Sequence, residues 1–306
     1  MISGGMIYYI FIDGIGFGKR NHLENPFAKY AKSVFLPLAG KEITSPSLSS
    51  VVYVQTDASL GIEGLPQSAT GQTALWTGIN GARVVGRHIS GFPTFTLKKI
   101  ISKYSILKIL KEHGFAGTFL NCYTPVFFEH MKLSPHHLPA STLVQLAAGY
   151  ALNTIDKLKD NTALYMDITN EYLKIQNDPE IHYKDPYKAG KEITNLKNHD
   201  LLMFEYFLTD KVGHDMDWER AGKIIGILES FLTGIIENMS KDDQLIVSSD
   251  HGNMEDLTTS YHTNNNVPTI LSGKYTDKLR KKINTLTDIP KAIYEILGIK
   301  IRLDYQ

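Results

Sequence analysis

Three apolar runs, each followed closely by an aspartate, constrain the fold of this chain more than any other feature of its sequence. The runs are MIYYIFI (6–12), LLMFEYFL (201–208) and QLIVSS (244–249), and VPTILS (267–272) is a further run without the aspartate. Their β-branched and aromatic residues favour buried strands, and helical patterns such as AGKIIGILESFLTGIIENM (221–239) lie between them. This alternation predicts an α/β fold whose mainly parallel central sheet is flanked by helices.

Residues 123–185 interrupt the alternation. This stretch contains HLPASTLVQLAAGYALNTIDKLKD and scattered polar segments, and it lacks strand runs as strong as those elsewhere. A chain of 306 residues has room for one large domain or for a core with a smaller insert. We therefore predict an α/β core of residues 1–122 and 186–306, with a small inserted cap of residues 123–185. The alternative is that this stretch continues the core.

Composition limits the classes of partner. The chain has 32 basic and 32 acidic residues, and this balance does not favour a nucleic-acid partner. Its apolar runs are far shorter than the roughly 18 residues that a membrane span needs, and no signal-like segment opens the sequence. The single cysteine, Cys122, excludes an internal disulfide and a cysteine-only metal cluster. These features predict a globular cytoplasmic protein without nucleic-acid or membrane partners, and they leave its oligomeric state open.

Asp13, Asp210 and Asp250 follow the three strand runs directly or almost directly. In open parallel sheets, ligands bind outside the carboxyl ends of the strands, so these side chains are expected at one edge. Three neighbouring carboxylates repel one another strongly unless a cation holds them. Any one of them alone could be a turn or helix-capping aspartate. Together they predict a cation site.

Three histidines accompany these aspartates. His214 follows Asp210 by four residues, His251 is adjacent to Asp250, and His262 lies in YHTNNNVP. Imidazole with carboxylate suits zinc, manganese or iron, and hard oxygen ligands favour manganese or magnesium. The candidate ligands are Asp13, Asp210, His214, Asp250, His251 and His262. Six ligands are too many for one tetrahedral ion and suit two divalent ions, the usual device for displacement at phosphorus.

A candidate nucleophile lies in GLPQSATGQTALWTG (64–78), which places Ser68 and Thr70 at the start of a predicted helix. The N–H groups and the positive end of a helix favour an anion there. A hydroxyl bound to a metal ion can ionise near neutral pH and attack phosphorus. Simple helix capping by Ser68 is the alternative, and Thr70 is close enough to remain a rival nucleophile.

Basic side chains follow this predicted helix in GARVVGRHISGF (81–92). Arg83, Arg87 and His88 are candidates for binding a substrate phosphate or carboxylate, since arginine makes bidentate contacts with both. A solvated loop of positive charge is an equally good interpretation. Further candidates for lining the site are Asn121, Tyr123 and Asn253.

Five segments taken together resemble the alkaline phosphatase superfamily of metalloenzymes. They are FIDGIGFG (11–18), GLPQSATGQTALWTG (64–78), FEYFLTDKVGH (204–214), SSDHGNMED (248–256) and YHTNNNVP (261–268). Within that superfamily the sequence is most similar to cofactor-independent phosphoglycerate mutases and phosphopentomutases. The resemblance covers roughly residues 6–120 and 186–272, in the order that those enzymes use.

The resemblance implies a role for each candidate residue. One ion would be held by Asp210, His214 and His262. The other would be held by Asp13, Asp250 and His251, with Ser68 bridging to it as the nucleophile. A phosphoserine intermediate on a small phosphorylated substrate would follow, and the core would have the alkaline phosphatase-like fold.

Two departures leave the reaction open between phosphomutase and phosphatase. This chain has Gly71 and Gln72 where the mutases carry Gly-His after the nucleophile, and residues 123–185 are too few for the large inserted domain of bacterial phosphoglycerate mutases. A cap that excludes water would favour a mutase, whereas water access would favour a phosphatase or phosphodiesterase. A catalytically inactive metal or sugar-phosphate binding protein would lack the nucleophile or a ligand, and neither is missing here.

Overall fold

A mixed, mainly parallel sheet forms the centre of the protein in the computed structural model, which describes residues 5–173 and 180–303. The strands in this part of the chain are β1 (Ile7–Ile12), β2 (Val52–Thr56), β3 (Gly117–Phe119), β4 (Leu201–Tyr206), β5 (Gln244–Ser248) and β6 (Val267–Gly273). Their order is β2-β6-β5-β1-β4-β3. β1 pairs in parallel with β4 and β5, and β3 with β4, whereas β6 is antiparallel to β5 and β2. The predicted α/β class is confirmed.

Helices connect and flank these strands. They are α1 (Pro26–Tyr30), α2 (Ser68–Thr77), α3 (Gly81–Val85), α4 (Phe95–Tyr104), α5 (Ile106–Glu112), α6 (Pro125–Leu133), α7 (Ala140–Ala147), α8 (Ile155–Lys159), α9 (Pro186–Ile193), α10 (Leu208–Asp215), α11 (Trp218–Asn238), α12 (Thr276–Leu279) and α13 (Asp288–Ile296). Among the helices of the described residues, none has both the length and the apolar character that a bilayer crossing requires.

Every side chain of the central strand β1 is buried. Since successive side chains of a strand point to opposite sides of the sheet, both faces of the sheet are covered at this strand. Tyr9 and Phe11 belong to one apolar cluster, where both rings pack edge-on against Trp76 of α2 at centroid distances of 5.5 and 5.1 Å. Ile10 belongs to the cluster on the opposite face, which includes Phe231 of α11. The sheet is therefore covered on both faces, as its nearly continuous apolar strand runs predict.

Helices α9 and α11 cross so closely that two glycines lie at the contact. A Cβ atom on Gly190 would lie 2.1 Å from the carbonyl oxygen of Phe231, and one on Gly234 would lie 2.2 Å from that of Tyr187. Both distances are far below van der Waals contact, and the atoms met belong to the backbone. The helices approach this closely because neither position carries a side chain.

Gly234→Ala is therefore expected to lower the free energy of unfolding by about 1–3 kcal/mol, the usual cost of overpacking. The control is Gly226→Ala in the same helix, where a Cβ atom would meet nothing within 4 Å. That change is expected to be neutral or to stabilise by up to about 1 kcal/mol, since alanine favours helix more than glycine does. Urea unfolding of both variants tests this; equal effects at the two positions would contradict the close crossing.

The segment 123–185 contributes to three separate apolar clusters, and its Leu164 and Ile168 belong to the one that contains Ile10. Helix α7 supplies Ala140 and Val144 to the large cluster that contains Trp76. A small separate cluster consists of Cys122, Leu158, Ala163 and Leu173. Helix α6 buries none of its side chains fully. Part of this segment thus packs with the core, and the proposed division of the chain at 123 and 185 stays a prediction.

Candidate metal centre

The three aspartates predicted at the strand ends lie at one edge of the sheet. β1 lies between β4 and β5, with Ile12 paired to Tyr206 and Phe11 paired to Ser248. Asp13 directly follows β1, Asp250 follows β5, and Asp210 lies in the first turn of α10 just after β4. Because the three strands are parallel neighbours, their carboxyl ends bring these side chains together.

Asp13, Asp250 and His251 form the first cluster of candidate ligands. The Nε2 atom of His251 lies 3.3 Å from Asp13 Oδ1 and 3.5 Å from Asp250 Oδ2. Gln72 of α2 lies beside the two carboxylates, and its Nε2 atom donates to Asp13 Oδ2 at 3.3 Å and to Asp250 Oδ2 at 3.2 Å. The sequence marked Gln72 only as a departure from the mutases, and no spacing rule predicted this contact.

Asp210 and His262 form a second cluster that also contains His251. His214 adjoins it, with its Nε2 atom 3.3 Å from Asp210 Oδ2 and 3.3 Å from His262 Nε2. The rings of His251 and His262 stack at 3.6 Å with an interplanar angle of 13°. His251 Nδ1 lies 4.0 Å from Asp210 Oδ1, so this ring joins the two clusters into one site.

Backbone carbonyls fix the tautomers of two of these histidines. Nδ1 of His214 lies 2.7 Å from the carbonyl oxygen of Ser260, and Nδ1 of His262 lies 2.8 Å from that of Pro66. A carbonyl oxygen only accepts hydrogen bonds, so each Nδ1 carries the proton. When a metal ion displaces any proton on Nε2, the Nε2 lone pairs face the cluster, which is the usual arrangement of a metal-binding histidine.

Glu255, which is buried, ties together the loops on which these ligands lie. Its carboxylate accepts hydrogen bonds from the backbone N–H of Asn253 at 2.8 Å, from the Asn265 side chain at 3.0 Å and from the Thr263 hydroxyl. Asn253 in turn donates to Asp210 Oδ1 at 2.7 Å. The predicted proximity of Asn253 to the site thus takes the form of a contact with a candidate ligand.

Burial and mutual repulsion act strongly on the ionisation of these groups. Burial, followed by the charges of Asp250 and Asp210, holds the pKa of Asp13 well above its usual range. Burial raises the pKa of Asp250 to about 7. Burial also acts to raise the pKa of Asp210, but the hydrogen bond from His214 and the nearby His251 outweigh it and lower that pKa to about 2. The hydrogen bond to Asp210 raises the pKa of His214 to about 9.

The donor set fits one or more divalent cations. Asp13 Oδ1, Asp250 Oδ1 and His251 Nδ1 are buried without a hydrogen-bond partner among the described residues. Such groups are costly in a protein interior, and a bound cation would both satisfy them and relieve the repulsion between the carboxylates. Mixed carboxylate and imidazole ligands suit manganese or zinc, with magnesium as an alternative.

Ser68 begins helix α2 at this cluster, with its Oγ atom 3.0 Å from His251 Nε2. The rival hydroxyl of Thr70 is directed elsewhere. It donates to the carbonyl oxygen of Gln67 at 3.0 Å and lies 3.4 Å from His88 Nδ1. Of the two hydroxyls, the one on Ser68 therefore contacts a candidate ligand.

The basic residues proposed for substrate binding lie away from this contact. Arg83 is exposed and lines a separate cavity with Asp57 and Thr285. Arg87 is exposed on the same connection, and His88 contacts Thr70 and the carbonyl oxygen of Ile62. Their role in binding substrate stays a prediction.

A cavity of about 520 Å³ opens beside Ser68, Asp13 and Gln72. Its aromatic wall consists of Phe92, Tyr123, Phe127, Tyr165 and Phe207. Asn121 and Tyr123 were predicted to line the site, whereas the aromatic wall as a whole was not. Glu205 also lines the cavity, although it lies within the apolar run of β4. A glutamate inside a buried strand run was the sequence signal that could have found it.

Comparison of the sequence with known families shows which family the chain belongs to. The family model of the metalloenzyme superfamily matches residues 144–301, just over half of the chain. The chain belongs to the metalloenzyme superfamily. The matched range includes five of the six candidate ligands, and Asp13 lies outside it. Membership in this superfamily supports a metal-dependent enzyme.

Two named mutases are similar to the chain over part of its length. The 2,3-bisphosphoglycerate-independent phosphoglycerate mutase of Ehrlichia ruminantium is 32% identical over 130 residues, which are 38% of this chain and 26% of that protein. The phosphopentomutase of Clostridioides difficile is 30% identical over 129 residues, which are 40% of this chain and 30% of that protein. The similarity thus spans less than a third of the length of either relative.

Solved structures share the fold at low sequence identity. An alkaline phosphatase from the Antarctic bacterium TAB5 has a TM-score of 0.51 at 13% identity, covering 97% of this chain and 98% of the other. The PH0037 protein from Pyrococcus horikoshii has a TM-score of 0.55 at 13% identity, covering 99% of each chain. The predicted alkaline phosphatase-like fold is confirmed, and so is the predicted similarity to phosphoglycerate mutases and phosphopentomutases over the matched part of the chain.

Proposed function

We propose that this protein transfers phosphoryl groups through a phosphoserine on Ser68 and acts as a phosphomutase on a small phosphorylated metabolite. The observation that carries the proposal is the 3.0 Å separation of Ser68 Oγ and His251 Nε2 at the junction of the two ligand clusters. The named phosphomutase relatives favour the same chemistry.

Six side chains would hold two divalent ions in this proposal. Asp210, His214 and His262 would hold one, and Asp13, Asp250 and His251 would hold the other, beside Ser68. When bound, such ions stabilise the negative charge of phosphoryl oxygens and lower the pKa of a nearby hydroxyl. The histidines whose Nδ1 atoms donate to backbone carbonyls are already oriented for this role.

The proposed step exchanges one phosphorus–oxygen bond for another. Ser68 Oγ gives up its proton to solvent and bonds to phosphorus while the bond from phosphorus to the substrate oxygen breaks. The substrate oxygen keeps the electron pair and takes a proton from solvent. Ser68 lies at the N-terminus of α2, whose N–H groups and dipole favour the anionic phosphoryl group. Return of the phosphoryl group to another hydroxyl of the substrate completes a mutase cycle.

Hydrolysis is a second candidate, and the cavity favours it. None of the described residues that line the cavity is an arginine or a lysine, and the exposed His130 is the basic residue among them. A mutase acting on a doubly charged metabolite needs cationic side chains to hold the second anionic group while the phosphoryl group resides on the enzyme. Without such a grip the dephosphorylated intermediate leaves and water takes the phosphoryl group.

Mass spectrometry of the manganese-loaded protein, incubated with a panel of phosphate monoesters, tests the proposal. We expect one added phosphate on the peptide that contains Ser68. An isomerised phosphate ester would identify a mutase, and release of inorganic phosphate would identify a phosphatase. Phosphate on Thr70 instead, or no phosphoprotein with turnover still present, would contradict the proposed intermediate. Metal binding without turnover of any ester would favour an inactive binding protein.

A further inference from the structure

The cavity beside Ser68 is unusual for a site that receives a phosphorylated metabolite. Aromatic rings form much of its wall, and the rings of Tyr123 and Phe127 pack against each other at a centroid distance of 4.5 Å. Phosphoglycerates and sugar phosphates carry further charges or several hydroxyl groups. These polar groups lose their hydration on burial and need cationic or hydrogen-bonding partners in return.

The apolar character of this cavity extends to its mouth. Two of its lining side chains, Phe92 and Val126, are 49% and 64% exposed. Exposed apolar side chains that adjoin a reactive group are typical of sites that bind an apolar ligand. The cavity of about 520 Å³ is large enough to enclose an aromatic ring together with its substituents.

Apart from the candidate metal ligand Asp13, Glu205 is the acidic side chain among the described lining residues of the cavity, and the exposed His130 is the basic one. Glu205 is 8% exposed, and one of its carboxyl oxygens accepts a hydrogen bond of 2.6 Å from the Ser141 hydroxyl. No other side chain in the part of the chain that the structure describes donates to this carboxyl group. A second anionic group of the substrate would have no arginine or lysine to pair with beside Glu205, whereas a hydroxyl or amino group could donate to the free oxygen of Glu205.

We propose that the substrate is the phosphate monoester of a flat, uncharged, aromatic alcohol, whose ring lies in this cavity between Tyr123, Phe127 and the apolar mouth. The proposal rests on the phosphoserine step of the proposed function and on its hydrolytic alternative, since it assumes that the phosphoryl group lies at Ser68 and the metal ligands and then passes to water. It assigns the cavity a ligand that differs from the substrates in the names of the phosphomutase relatives.

Two esters of primary alcohols test this substrate class, because their leaving groups have similar chemistry. We expect the manganese-loaded enzyme to have a kcat/KM at least about tenfold higher for benzyl phosphate than for glycerol phosphate, the discrimination typical of a hydrophobic pocket. 3-Phosphoglycerate, with its additional carboxylate, is expected to be poorer still. Equal or better turnover of glycerol phosphate or 3-phosphoglycerate would overturn the proposal.

Variants of two phenylalanines test whether the preference for benzyl phosphate depends on the wall of the cavity. Phe127→Ala is expected to lower the ratio of kcat/KM for benzyl phosphate to kcat/KM for glycerol phosphate about tenfold. Phe127 is only partly buried, so its replacement does not open the core. The matched control is Phe95→Ala, since Phe95 is 73% exposed and does not line the cavity. An equal loss for both esters in Phe127→Ala would contradict a role in recognising the ring.

Binding to the Ser68→Ala variant separates this inference from the proposed mechanism. Titration calorimetry in the presence of manganese compares benzylphosphonate with methylphosphonate, which carries the same headgroup without the ring. We expect benzylphosphonate to bind at least about tenfold more tightly. If the ring binds in this cavity, this preference is expected even when Ser68 is not the nucleophile. Equal affinities would overturn the substrate class, and binding of neither phosphonate would count against the proposed function as well.

Discussion

Replacing His251 with alanine is expected to lower phosphotransfer activity by roughly a thousandfold or more. Loss of a group that merely supports a metal ligand typically costs 10–100-fold, and His251 is itself a candidate ligand that joins both clusters. Its Nε2 atom faces Asp13, Asp250 and Ser68, so its removal disturbs metal binding and the nucleophile together. Steady-state kinetics with a chromogenic phosphate ester measures the loss.

Metal content decides whether this loss has the proposed cause. Elemental analysis of the purified His251→Ala protein is expected to show less bound metal than the wild type. His214→Ala is expected to lose metal from the side of Asp210 and His262 while the side of Asp13 and Asp250 retains it. The control is His22→Ala, because His22 is exposed and belongs to neither cluster of candidate ligands. A full complement of metal in the His251 variant would refute the ligand assignment.

Ser68→Ala is expected to lower turnover at least about 10⁴-fold while metal content and thermal stability stay close to those of the wild type. Removing a nucleophile eliminates the covalent route, and losses of this size are typical. Ser68 is not a strong helix cap here, since Gln67 occupies the N-cap position without a side-chain hydrogen bond to the helix. Kinetics, elemental analysis and thermal unfolding monitored by circular dichroism check the three parts.

Thr70→Val provides the matched control for this experiment. Thr70 is fully buried and its hydroxyl contacts the carbonyl oxygen of Gln67, so the change removes a hydrogen bond and keeps the shape of the side chain. We expect turnover within about tenfold of the wild type and a stability loss of about 1 kcal/mol. A Ser68→Ala enzyme that remained active beside an inactive Thr70→Val enzyme would reverse the assignment of the nucleophile.

The buried central strands were predictable from the sequence, whereas the edge strand β2 was not. Runs such as residues 6–12 and 244–249 are apolar throughout because both faces of the central sheet are covered, and that burial is visible in the sequence. Strand β2 was not predicted, although VVYV (51–54) is rich in β-branched and aromatic residues; its apolar run is short, and it lies at the edge of the sheet with most of its side chains only partly buried. Edge strands are weakly marked because one side meets no neighbouring strand.

The candidate ligands were predictable because their positions depend on local order along the chain. Asp13 and Asp250 end adjacent parallel strands, so the fold class alone brings them to one edge. His214 follows Asp210 by one helical turn, which places both side chains on the same face of α10. His251 follows Asp250 directly and shares its location.

The sequence by itself determined the α/β class, the edge of the sheet at which the aspartates gather, and the set of histidines near them. Only the tertiary structure decided that Gln72 donates to both Asp13 and Asp250, that His251 joins the two clusters, and that Glu205 lies in an aromatic cavity without arginine or lysine among its described lining residues. The physical reason is the separation along the chain over which each kind of signal acts. Periodicity and strand order act along the chain, whereas these contacts depend on how helices and loops far apart in sequence pack over the edge of the sheet.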